Sequence, residues 1–183
     1  MSSVEIEISE YDAGWPGMFS EYGSEIRSAT GGLALRIDHI GSTAVPGLAA
    51  KPIVDIQLVL EDWSPFDPLL PALEAIGYQF YPDNPDGRKR YFTLENDGNR
   101  LVNVHVRLFA EFSAQAALLF RDYLRVEASA RRRYEETKRR LASQIWDSVD
   151  DYADAKGDII WVLLREADVW AWSSRWSPGE TDA

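Results

Sequence analysis

The stretch His39-Ile40-Gly41-Ser42-Thr43-Ala44-Val45-Pro46-Gly47-Leu48-Ala49-Ala50-Lys51-Pro52-Ile53-Val54-Asp55-Ile56-Gln57 gathers a Gly-Ser bend, a lysine and a carboxylate set in a β-branched run. The pieces suit an anion. A bend at Gly41 and Ser42 lets backbone N–H groups face a phosphate with no Cβ in the way. A short helical turn through Thr43 would add its positive end. Lys51 could contribute a point charge, and a carboxylate on the next strand could hold Mg²⁺ against the same phosphates. Asp55 lies among Ile, Val and Leu, where a carboxylate is costly unless paired or coordinated. It therefore reads as a site residue, or else as the partner of Lys51 or an arginine in an ion pair. His39 reads either as a histidine satisfied within the turn or as a ligand.

Twelve residues, 43 to 54, separate Ser42 from Asp55. That gap resembles the one in the nucleotidyltransferase superfamily, where a Gly-Ser or Gly-Gly turn precedes Asp-x-Asp or Asp-x-Glu on a strand. Two-metal transfer wants carboxylates at i and i+2, which point the same way on a strand. Here the i+2 position holds Gln57, a neutral and weak Mg²⁺ ligand. A later strand offers Asn103 and His105 on one face and no carboxylate. A shell of Asp55, Gln57, Asn103 and His105, with His39 as an outlying candidate, would take Mg or Mn, or Zn where imidazole dominates, or no metal at all.

These groups need elements to hold them. Trp15, Met18, Phe19, Tyr22 and Ile26 recur at helical spacing and predict a helix over 15–29, with Pro16 in its first turn. Alternation predicts a strand over 33–40, with Ile37 and His39 on the same side, and IVDIQLVL predicts one over 53–60. A short helix follows at 67–76. Three more strands are expected at 78–81, 89–94 and 100–109, the last two joined through Asn96-Asp97-Gly98-Asn99. From Ser113 the pattern is helical, in segments near 113–126, 127–147 and 150–172, with Tyr134, Leu141 and Ile145 on one face of the second. The expected fold is α+β: one domain, with a mixed sheet core at 1–112, a helical part at 113–172 and a disordered tail at 173–183.

Bulk composition narrows the function. The 183 residues include seven tryptophans and no cysteine, which excludes disulfides and thiolate metal sites. A net charge of −11 argues against sequence-independent nucleic-acid binding. Local basic clusters at 88–90, 131–133 and 138–140 read as solvated helix or loop faces. No signal peptide or membrane-length apolar run is visible, so a cytoplasmic location is expected.

The wording of the chain is more specific than its spacing. His39-Ile40-Gly41-Ser42-Thr43-Ala44-Val45-Pro46-Gly47-Leu48 with Ala50-Lys51-Pro52-Ile53-Val54-Asp55-Ile56 closely resembles the signature of the GrpB-like family. Tyr11-Asp12, Trp15 and Phe19 resemble that family's opening helix. Arg90 and Val104-His105-Val106 match its middle. Phe120-Arg121-Asp122-Tyr123-Leu124-Arg125, Tyr134 with Lys138, and Tyr152 with Lys156 match its helical end. One departure is Asn103, where the family often carries a histidine.

The resemblance implies a nucleotidyltransferase-like mixed sheet with flanking helices and a C-terminal helical bundle. Members fused to dephospho-coenzyme A kinase connect it with nucleotide or coenzyme metabolism. Three readings follow. The first is a nucleotide-binding protein at Gly41, Ser42, Thr43, Lys51 and Asp55, transferring a nucleotidyl group to a small acceptor with a divalent metal, while Arg90, Tyr152 and Lys156 face the phosphates. The second is a catalytically degenerate binding module. The third is an accessory, chaperone-like interaction domain that meets a protein partner through Trp161, Trp170, Trp172 and Trp176.

Overall fold

A computed structural model describes residues 4–64, 66–82 and 89–183. Its frame is a five-stranded mixed sheet of order β1-β2-β5-β4-β3, built from β1 (Arg36–Ile40), β2 (Val54–Leu60), β3 (Gln79–Tyr81), β4 (Arg90–Asn96) and β5 (Asn99–Leu108). Only β2 and β5 are parallel. Helices α1 (Trp15–Thr30) and α2 (Phe66–Ala75) cover one face of the sheet. The helices α3 (Phe112–Val126), α4 (Ala128–Ala142), α5 (Val149–Ala155) and α6 (Gly157–Ser174) complete the C-terminal half.

Side-chain alternation divides the two faces. Ile37, Ile56, Leu58, Val104, Val106 and Phe92 point towards α1 and α2 and form the main core with Phe19, Ile26, Leu69 and Leu73. Asp55, Gln57, Asn103 and His105 therefore point the other way, towards the helical half. A second core joins the bend to the bundle: Val45 and Leu48 pack against Tyr123, Leu124, Tyr134 and Leu163. That contact is what presses the Gly-Ser bend against the helices. The expected hairpin at 96–99 closes with positive φ at Asp97 and Gly98.

Three expectations change. The last helical segment is two helices, α5 and α6, which meet at Lys156 and Gly157; a glycine mid-pattern is a weak point for a continuous helix. Ile145 is 80% exposed rather than packed with Tyr134 and Leu141, because α4 ends at Ala142. The tail is placed rather than disordered. The Ile37 and His39 amides donate to the side chains of Thr181 and Asp182, and the Asp182 amide donates back to the Ile37 carbonyl. Arg121, buried in α3, donates from its guanidinium to the same Asp182 carboxylate at 2.6 Å. The segment thus caps the outer edge of β1.

Of the basic cluster at 88–90, Arg88 lies outside the described residues. Among the tryptophans, Trp161 and Trp172 are exposed, Trp170 packs on Tyr123, and the Trp176 indole donates to Asp122. Among the described residues, no helix is long and apolar enough to cross a membrane.

Candidate functional site

The Gly-Ser bend and the strand aspartate open onto one hollow. A cavity of about 210 Å³ is lined by Ile40, Gly41, Ser42, Asp55, His105 and Tyr134, among others. The contact between bend and strand is close. Gly41 has φ +71, and a Cβ placed on it would lie 2.4 Å from the Asp55 carboxylate. Asp55 keeps 28% of its side-chain exposure, so it borders the cavity without being sealed off.

Asp55 is held by its neighbours on β5. The Asn103 amide donates to Oδ1 at 2.8 Å, and His105 Nε2 lies 3.5 Å from the same oxygen. Burial pushes the Asp55 carboxyl up, but the hydrogen bonds from His105 and Asn103 and the charge of Lys156 outweigh it and hold it below the usual carboxylate range. Burial and, less strongly, the Arg107 guanidinium push His105 down. We therefore treat the pair as a neutral imidazole N–H donating to a carboxylate rather than a full ion pair.

Several residues assigned to a metal shell have other partners. The Gln57 amide donates to the Ala114 carbonyl at 3.1 Å while its oxygen accepts from Arg107, so its buried side chain is taken up on both sides. The Asn103 oxygen accepts from the Tyr91 hydroxyl at 2.6 Å, leaving Asn103 spanning Tyr91 and Asp55. His39 faces the opposite side of the sheet. Its ring stacks on Phe19 at 4.8 Å, its Nε2 lies 3.0 Å from the Thr43 hydroxyl, and burial lowers it to about 4, so it is neutral at pH 7. Thr43 is thereby turned inward, fully buried, and is not presented to the cavity.

Arg90 is also on the wrong face for a phosphate at Asp55. It shares the Phe92 side of β4, and its guanidinium lies 4.5 Å from the Trp63 ring. Among the described residues, no three His, Asp or Glu side chains converge. One carboxylate, already hydrogen-bonded and facing lysines, does not fit the two-metal donor set.

What converges instead is cationic. Lys138 on α4 is 2% exposed, and its ammonium donates to Ser42 Oγ at 3.1 Å and to the Ala49 carbonyl. Lys51 and Lys156 lie over the Tyr152 ring at 5.7 and 4.7 Å. Burial lowers all three lysines: Lys138 to about 7, with Lys156 adding to the effect, and Lys156 to about 8, with Lys51 adding to it, while Asp55 pulls each of them back up. Tyr134, buried beside Lys138, hydrogen-bonds to Ser42. The sequence points to Lys51, Tyr152 and Lys156, whereas Lys138 reads there as one of a run of solvated basic residues. The missed signal was its register, because Lys138 continues the buried stripe Ala130, Tyr134, Leu141.

Comparison with known proteins gives one consistent family. Residues 5–166 match the family described as GrpB protein. The UPF0157 protein of Halalkalibacterium halodurans is 38% identical over 165 residues, covering 90% of this chain and 84% of that protein. A dephospho-CoA kinase from Mycolicibacterium paratuberculosis is 31% identical over 191 residues, but the match takes in only 47% of the kinase against 91% of this chain. The crystal structure of the conserved protein GrpB from Enterococcus faecalis aligns with TM-score 0.80 at 30% identity, over 91% of this chain and 99% of that one. The Cid1 poly(U) polymerase with Mg 3'-dATP bound aligns with TM-score 0.52 at 10% identity, over 73% of this chain and 44% of its own, a likeness of fold alone.

Proposed function

The chain belongs to the GrpB protein family, and from that premise we propose that it binds a phosphate-bearing small molecule, a nucleotide, in the hollow between the Gly41-Ser42 bend and Asp55. The observation that carries this reading is a cluster of three lysines at the edge of that hollow: Lys138 donates to Ser42 on the bend, and Lys51 and Lys156 lie over the Tyr152 ring within electrostatic reach of Asp55. Holding one buried and two half-buried ammonium groups near one another is unfavourable, as their lowered proton affinity records, and an anion relieves it. The nucleotidyltransferase-like fold and the match to part of a dephospho-CoA kinase support a nucleotide over other anions. The donor set favours a binding module over metal-dependent nucleotidyl transfer, because Gln57 and Asn103 stand where further carboxylates would be wanted and both are engaged by other partners.

Titration calorimetry with ATP and with inorganic triphosphate in EDTA tests the reading. Both are expected to bind without Mg²⁺. Lys156→Met should weaken both by about tenfold, the loss of one ion contact worth about 1.4 kcal/mol. Absence of binding, or indifference to Lys156→Met, would overturn it.

The lysines also set a pH dependence. Ordinary lysines stay charged to about pH 10, whereas here Lys138 loses its proton near 7 and Lys156 near 8. An anion binds the protonated forms, so affinity is full below pH 7 and falls as pH rises through 7 and 8. Sulfate, whose own charge is constant over that range, is the probe; a flat profile to pH 9 would contradict the assignment.

A further inference from the structure

We propose that Tyr81 and Tyr91 form a stacking shelf for the base of a nucleotide whose phosphates lie among Lys51, Lys138 and Lys156. The proposal rests on the phosphate-site reading above and names the part of the ligand that reading leaves unplaced.

The sheet register builds the shelf. Tyr81 pairs with Tyr91 and Tyr91 with His105, so the three rings form one row across β3, β4 and β5 on the face that carries Asp55. Ring centroids step by 5.8 Å from Tyr81 to Tyr91 and by 5.2 Å from Tyr91 to His105, which in turn lies 3.5 Å from the Asp55 carboxylate. The shelf therefore starts at the cavity and runs outward to the edge strand. A nucleoside with two or three phosphates spans that distance.

The same strands show that the tyrosines are not merely core. On the opposite face Phe80 and Phe92 sit 5.0 Å apart and are packed under α2 by Phe66. On the site face the matching ring, Tyr81, is 41% exposed, with its hydroxyl near Arg100 at 3.4 Å. The inner ring is held in place, since the Tyr91 hydroxyl donates to Asn103, which in turn holds Asp55. Charge runs alongside. Arg100 lies 5.8 Å from the Tyr81 ring, and Lys51 is within electrostatic reach of both Arg100 and Asp55. A row of rings, tilted to one another by 59° and 49°, that is flanked by cations and ends in an anion hollow offers the exposed Tyr81 ring to a base, with phosphates inward. Stacking is tolerant of base identity, so purine and pyrimidine nucleotides should both bind.

ATP and inorganic triphosphate, titrated against wild type, Tyr81→Ala and Tyr81→Phe, separate the two halves of the ligand. Wild type should bind ATP more tightly than triphosphate. Tyr81→Ala should weaken ATP by about tenfold, the range of one lost base–aromatic stack, while changing triphosphate by less than about twofold; Tyr81→Phe should keep both affinities. Because Tyr81 lies on an edge strand and is partly exposed, unchanged melting of the alanine variant serves as the folding control. Equal affinity of wild type for the two ligands, or loss of both alike in Tyr81→Ala, overturns the shelf and leaves the phosphate site standing. Failure of wild type to bind either ligand overturns both.

Discussion

Gly41→Ala is expected to lower the stability of the protein by about 3–5 kcal/mol and to abolish ligand binding at the bend. Two costs add. Gly41 holds φ +71 and ψ −167, a region that side-chain-bearing residues reach only at about 1–3 kcal/mol. The new Cβ would also lie 2.4 Å from the Asp55 carboxylate and 3.0 Å from its Cβ, so the strand or the bend must move. Asp55 cannot yield easily, since Asn103 and His105 fix it from the far side. For a chain of this length the loss corresponds to a fall in melting temperature of about 10 °C or more. Gly47 provides the control. It has φ +77 but open space where its Cβ would go, so Gly47→Ala should cost only the backbone strain, about 1 kcal/mol. Thermal melts that rank the two variants equally would show that the contact between bend and strand is not the constraint.

The sequence exposes the positions of the site better than it exposes their partners. Asp55 stands out because it interrupts IVDIQLVL, and alternation alone puts it on the face away from Ile56 and Leu58. The same rule applies to Arg90: Phe92 and Leu94 mark the core side of β4, and Arg90 shares their parity. For Gln57 and Asn103 parity gives the face and leaves their partners unstated. Their hydrogen-bonding capacity is consumed by Ala114, Arg107 and Tyr91, partners set by the docking of α3 and by cross-strand register rather than by local sequence.

Lys138 was illegible for the opposite reason. Arg139-Arg140 beside it makes the segment look like a charged surface, and only the spacing from Tyr134 shows that this one lysine points inward. The tail carried no signal of order at all. Asp182 becomes structural because the outer edge of β1 needs partners and Arg121 lies buried beside it, neither of which a run of Ser, Pro, Gly and Thr announces.

Asp55→Asn should strengthen anion binding in metal-free buffer at pH 6, by one to two orders of magnitude. A metal-bridged nucleotidyltransferase predicts the reverse, since its aspartate is attractive to phosphate only through the cation between them. Here the carboxylate borders the hollow directly, and among the described residues no three His, Asp or Glu side chains converge there. For a phosphate charge roughly 5 Å away at an effective dielectric of about 20, Coulomb repulsion is about 3 kcal/mol before screening, which sets the upper end of the gain.

The choice of pH matters because Asp55 also raises the proton affinity of Lys51, Lys138 and Lys156. At pH 8 its removal would discharge lysines and offset the gain, whereas pH 6 lies below the values of about 7 and about 8 to which Lys138 and Lys156 are lowered, so the offset is smaller there. Asparagine keeps the oxygen that accepts from Asn103, so the geometry is preserved while the charge is lost. A fall in sulfate or triphosphate affinity under these conditions would mean that the carboxylate itself recruits the ligand, and would return Asp55 to the role of a cation holder. A rise would make it a counter-charge that keeps the buried Lys138 and the half-buried Lys51 and Lys156 protonated until an anion takes its place.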